Sequence, residues 1–125
     1  MLLFVYGTLC RGKEAHFLLK DSPFVTEGYV EGTLYDLGVG FPALGVDEIQ
    51  GRVYGEVYDI SEDLVDTLDH YEGCSPEDEE NSLYLRKEIV FYPEKGKPFS
   101  VQAYVMPAHQ RLRFCVTVIP SGRWY

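Results

Sequence analysis

Phe4-Val5-Tyr6-Gly7-Thr8-Leu9 is the stretch on which the reading of this chain turns. Leu2 to Tyr6 is apolar without interruption, which predicts a short buried strand. Gly7 stops it at once. A glycine there lets the backbone approach a ligand closely, and successive free N–H groups can form an anion-binding nest. An ordinary tight turn after a strand accounts for the same residues. What sets the stretch apart is its pairing with Glu72, which ends the most amphipathic helix in the chain.

That helix is predicted from Ser61 to about Tyr71. Ser61 suits the N-cap, Glu62 and Asp63 suit the first turn, and Gly73 suits the stop. Leu64, Val65, Leu68, Tyr71 and Glu72 fall at helical spacing, with Val65, Leu68 and Glu72 on one face. A carboxylate on an apolar face is disfavoured in its charged form, so its pKa rises. A carboxyl tuned this way can take and return a proton near neutral pH. An N–H-rich loop and such a carboxyl make a candidate acyl-transfer site if the fold brings them together.

Working outward, Lys13 to Lys20 reads as a short helix ended by Asp21-Ser22-Pro23. Tyr29 to Leu37 and Arg52 to Ile60 read as two similar strands, Gly32-Thr33-Leu34-Tyr35-Asp36-Leu37 against Gly55-Glu56-Val57-Tyr58-Asp59-Ile60. Glycines inside both suggest bulges or tight bends, as at barrel corners. The segment Gly38 to Leu44 reads as a loop or short edge strand. Leu83 to Tyr92 and Phe99 to Met106 alternate in period two and form a hairpin through Pro93 to Pro98. Gln110 to Val118 fits either helix or strand, and Pro120 to Tyr125 ends the chain. Strands joined mainly by turns, with two short helices, predict an α+β fold: a small, mainly antiparallel sheet able to close on itself.

Residues 1–125 suit one domain with its own core. Hydrophobic content of 46% is ordinary for a soluble protein. No apolar run approaches the ~18 residues of a membrane span, and Met1 to Val5 lacks the flanks of a signal peptide. The cytoplasm is the expected compartment. A net charge of -9 without a basic patch disfavours nucleic acid and anionic membrane surfaces. Cys10, Cys74 and Cys115 are odd in number and widely spaced, as reduced thiols are. Ten tyrosines suit strands and part-buried pockets.

No GxSxG elbow, HExxH or phosphate loop occurs. His16, His70 and His109 lack metal-ligand spacing, so no metal or cofactor is called for. Cys10 follows the glycine loop and could be a nucleophile, but no evident partner accompanies it, and a small buried thiol is the simpler reading. Glu77-Asp78-Glu79-Glu80 reads as a solvated acidic loop. It lacks the alternating ligands and central glycine of an EF-hand.

Tyr6-Gly7-Thr8-Leu9 after an N-terminal strand resembles the gamma-glutamylcyclotransferase-like superfamily, in the branch typified by gamma-glutamylamine cyclotransferase. Gly32-Thr33-Leu34-Tyr35, Gly55-Glu56-Val57-Tyr58, Leu68-Asp69-His70-Tyr71-Glu72-Gly73, Tyr84-Leu85-Arg86 and Ser121-Gly122-Arg123-Trp124 match in order, over nearly the whole chain. The resemblance implies a small β-barrel flanked by helices. It implies that Tyr6, Gly7, Thr8 and Leu9 bind substrate, that Tyr84 lines the pocket, and that Glu72 is the general base. The implied activity is that of an acyltransferase turning a gamma-glutamyl amine or peptide into 5-oxoproline and a free amine. Tyr-Gly-Thr-Leu differs from the Tyr-Gly-Ser-Asn of glutathione-related branches, and Arg123 stands where an acidic residue is common. A non-catalytic module holding a small ligand in the same pocket, and a partner-binding protein using the acidic loop, are the competing readings.

Overall fold

The computed structural model describes residues 1–124. Tyr125, the last residue of the tail noted above, lies outside the described residues.

Five strands close into a barrel. In chain order they are β1 (Leu2–Val5), β2 (Phe24–Asp36), β4 (Gly51–Asp59), β5 (Leu85–Pro93) and β6 (Phe99–Val105). The order around the barrel is β2-β4-β1-β6-β5, and β5 closes back on β2 through Tyr29 opposite Tyr92 and Gly28 opposite Pro93. Every pairing is antiparallel except β1 with β6, which is parallel. The last third of β2 leaves the barrel to pair with β3 (Pro42–Gly45) and β7 (Thr117–Val118). Outside the barrel lie α1 (Glu62–Glu72), a 3₁₀ turn (His16–Leu19) and the one-turn α2 (Ala108–Arg111). The expected small, mainly antiparallel barrel with short helices is therefore present.

Strand alternation divides the core. Phe4, Val30, Val53, Val57, Phe91 and Val101, drawn from all five strands, fill the barrel. Leu3 and Val5 point the other way and pack with Leu19, Ile60, Val65 and Leu68 beneath α1. Burial on both faces is why β1 reads as an unbroken apolar run. Gly55 serves the tight curvature expected of it: a Cβ there would run into the carbonyl of Val5 and within 2.8 Å of the Phe4 ring.

Two expectations change, and two open alternatives are settled. The segment 13–20 yields only the 3₁₀ turn, because Ala15 and Leu19 are buried while Phe17 is exposed, too narrow a stripe to hold a longer helix. The first twin strand begins at Phe24, with a register irregularity between Phe24 and Thr26. Residues 38–44 resolve into a loop and the edge strand β3, and 110–118 into the end of α2 and strand β7. No helix among the described residues is long and apolar enough to cross a membrane.

Candidate active site

The chain leaves β1 at Tyr6, whose ring stays in the barrel core. Its hydroxyl donates to the Tyr104 carbonyl at 2.6 Å and accepts the Leu44 N–H at 3.1 Å. Tyr6 therefore pins the start of the loop. Gly7 follows because space runs out: a Cβ would stand 2.8 Å from Pro42 Cγ and 2.9 Å from Cδ. The carbonyls of Gly7 and Thr8 accept the N–H groups of Cys10 and Ala15 at 3.0 and 2.9 Å. Among the described residues, none of the turn and loop hydrogen bonds uses the N–H of Gly7, Thr8 or Leu9 as donor.

Helix α1 arrives from the other side. Ser61 holds the N-cap position with extended backbone, but its side chain makes no capping bond. Gly73 ends the helix at φ 66°, and its N–H reaches back to the carbonyls of Asp69 and His70. Leu68 is fully buried against the barrel. Glu72, one turn on, lines a cavity of about 330 Å³ together with Tyr6, Gly7, Thr8, Leu9 and Tyr84. All six residues singled out from the sequence thus meet at one cavity, which is large enough for a small ligand. Tyr71 and Thr8 tie the two walls through a 2.9 Å bond between their hydroxyls.

Electrostatics single out Glu72. Its carboxyl makes no hydrogen bond or ion pair among the described residues, and burial pushes its pKa from the usual 4.5 to about 8. The residue as a whole keeps some exposed surface, as a cleft-lining residue does. Around it stand hydroxyls that remain protonated. Burial raises Tyr6, Tyr84 and Tyr104, and the nearby Glu72 charge raises each further. Tyr84 donates to the Pro42 carbonyl at 2.6 Å, which holds the loop facing Gly7.

Of the other candidates, His70 lines the same cavity from α1, while Cys10, His16 and His109 fall elsewhere. Cys10 does not line this cavity, and burial pushes its thiol up to about 12, so it stays protonated at neutral pH. His16 and His109 are paired with the carbonyls of Leu9 and Glu80 at 2.9 and 3.1 Å. No group of three or more potential metal ligands occurs among the described residues. The acidic run 77–80 is exposed, on the connection from Gly73 to Leu83, two residues of the cavity wall.

Sequence reasoning passed over Asp69, Arg86 and Tyr104. Asp69 is buried and takes both arms of Arg86, at 3.0 and 3.2 Å, and the Tyr104 hydroxyl at 2.6 Å. The available signal was phase: Asp69 lies four residues after Val65, on the core side of the helix.

Comparison with known proteins agrees with this architecture. The model of the family described as "Gamma-glutamyl cyclotransferase, AIG2-like" matches residues 3–125. A Halalkalibacterium halodurans protein named "Putative gamma-glutamylcyclotransferase" is 41% identical over 96 residues, 77% of this chain and 80% of that one. Gamma-glutamylaminecyclotransferase A of Danio rerio is 30% identical over 113 residues, 82% of this chain and 66% of its own. A mouse AIG2-like protein of known crystal structure superimposes with a TM-score of 0.75 at 24% identity, covering 99% of this chain and 93% of the mouse chain, a likeness of fold. This chain belongs to the gamma-glutamyl cyclotransferase, AIG2-like family.

Proposed function

We propose that the protein, acting as one domain over residues 1–125, is a cofactor-independent cyclotransferase that releases 5-oxoproline and a free amine from a gamma-glutamyl amine or peptide, with Glu72 as acid–base. The observation that carries the reading is the lone carboxyl of Glu72, raised to about 8 in the cavity it shares with the 6–9 loop. Relatives named for this activity support the reaction class.

The chemistry suits these groups. A gamma-glutamyl compound carries an α-ammonium and a γ-amide on one short chain. Glu72 takes a proton from the ammonium, and the freed amine attacks its own γ-carbonyl. A ring C–N bond forms, the amide C–N bond breaks, and Glu72 hands the proton to the departing nitrogen. Two protons leave the α-nitrogen in all, and two end on the released ammonium. A Glu72 carboxyl raised to about 8 is a stronger base than an ordinary carboxylate, which makes proton transfer from the α-ammonium less uphill. Closure is intramolecular, so positioning supplies much of the acceleration. The N–H groups of Gly7, Thr8 and Leu9 are available for the substrate carboxylate or the developing oxyanion, at about 3 kcal/mol per donor in other enzymes.

The test is Glu72→Gln, assayed for 5-oxoproline release from gamma-glutamyl amines and dipeptides. The expected result is a folded protein with turnover reduced at least about a thousandfold. Normal turnover by the variant would refute the mechanism, and ligand binding by the wild type without product would favour a non-catalytic module.

A further inference from the structure

Asp69, Arg86 and Tyr104 form a polar cluster, buried at Asp69 and Tyr104 and half-buried at Arg86, for which the cyclisation itself has no use. Asp69 is only 5% exposed and stands three residues before Glu72. Its Oδ1 accepts from Arg86 Nε and from the Tyr104 hydroxyl, and its Oδ2 accepts from Arg86 Nη2. Its own carbonyl accepts the N–H groups of Gly73 and Cys74, which end the helix. Tyr104 then continues the chain of bonds, because its carbonyl takes the Tyr6 hydroxyl. One residue therefore grips the Glu72 helix through its hydroxyl and the 6–9 loop through its backbone, and it lines the cavity between them.

We propose that Asp69, Arg86 and Tyr104 are positioning residues that fix Glu72 against the Tyr6–Leu9 loop and hold the net charge beside it at zero. This rests on Glu72 being the acid–base. A two-pronged guanidinium–carboxylate pair adds a directional constraint on the helix's rotation and height to that of apolar packing. A buried ion pair is an inefficient source of stability, so its position one turn from a lone functional carboxyl calls for another reason. Charge supplies it. Side chains three apart on a helix are about 5–6 Å apart at Cβ, and an uncancelled Asp69 would repel an ionised Glu72. With Arg86 in place, burial is the one cause of the Glu72 rise. The other groups facing Glu72 are Tyr6, Tyr84 and Tyr104, with His70 and Tyr71 from its own helix. The three tyrosine hydroxyls stay neutral through the range in which Glu72 titrates.

The experiment measures kcat/KM for 5-oxoproline release against pH in the wild type, Asp69→Asn and Arg86→Gln. Asp69→Asn leaves the Arg86 cation uncancelled, because arginine does not deprotonate. Its acid limb should move to lower pH by about half a unit or more, with kcat down about tenfold. Arg86→Gln removes the cation, so its limb should stay or move to higher pH. Limbs that coincide with wild type in both variants, or that fall in both, would overturn the proposal. Tyr104→Phe keeps the ring and the backbone bond to Tyr6 and removes only the bond to Asp69. It should lower kcat about three- to tenfold with KM and the limb unmoved, and an unchanged kcat would overturn the proposal even if Asp69→Asn failed to fold. Turnover retained by Glu72→Gln would instead refute the underlying assignment, whatever the limbs do.

Discussion

Replacing Glu72 by glutamine should make the protein more stable at alkaline pH and leave it nearly unchanged at acid pH. The folded state holds the Glu72 proton more tightly than the unfolded chain, because burial lifts the pKa from 4.5 to about 8. Stability from this group is thus fully present below about 4.5 and is lost as pH rises through about 8. At about 1.4 kcal/mol per pH unit, that difference costs the ionised folded state about 5 kcal/mol. Water entering the cleft offsets part of it, so about 2–4 kcal/mol is the working expectation. For a chain of this size about 4 °C of Tm accompanies each kcal/mol. Thermal melts of wild type and Glu72→Gln should therefore agree within about 2 °C at pH 5 and separate by about 10 °C at pH 9, with the variant higher. Every other titrating group is common to both proteins and cancels. A gap of equal size at both pH values would mean that the carboxyl is not raised, and with it would go the argument for Glu72 as a base near neutrality.

Two more outcomes follow from close contacts. Gly7→Ala sets a methyl 2.8 Å from Pro42 Cγ; the loop must shift, and we expect a stability loss of about 1–3 kcal/mol with turnover down at least tenfold, so an unaltered melt and kcat would show that the approach has slack. Cys10, with its thiol at about 12, should alkylate at pH 8 at least about tenfold more slowly than the exposed Cys115, and equal labelling by quantitative mass spectrometry would put its thiol in the ordinary range.

What could be read without coordinates was local. The β1 run, the Gly73 helix stop, the hairpin through residues 93–98 and the phase of Glu72 each rest on neighbours a few residues apart, where side-chain period and backbone preference speak directly. The short reach of such signals also explains the errors. The turn at 16–19 looked helical because its apolar residues are spaced for a helix, although only Ala15 and Leu19 find a core to bury in. Asp69 carries little local signal, because its value depends on Arg86 and Tyr104, which arrive from β5 and β6.

Local pattern alone carries the parts of the site: an apolar strand breaking at Gly7, and a carboxyl riding the apolar face of a capped helix. The strand pairings that close the barrel were not legible in the sequence. They required β5 to meet β2 at Tyr29 and Tyr92, and β1 to lie parallel to β6, a strand from the far end of the chain. Tertiary structure also decided that the 6–9 loop and Glu72 share one cavity, and that no partner within the described residues reaches the carboxyl. The physical reason is range. Strand period and helix phase act within a turn or a few residues, whereas desolvation and charge depend on which distant segments fold against a group.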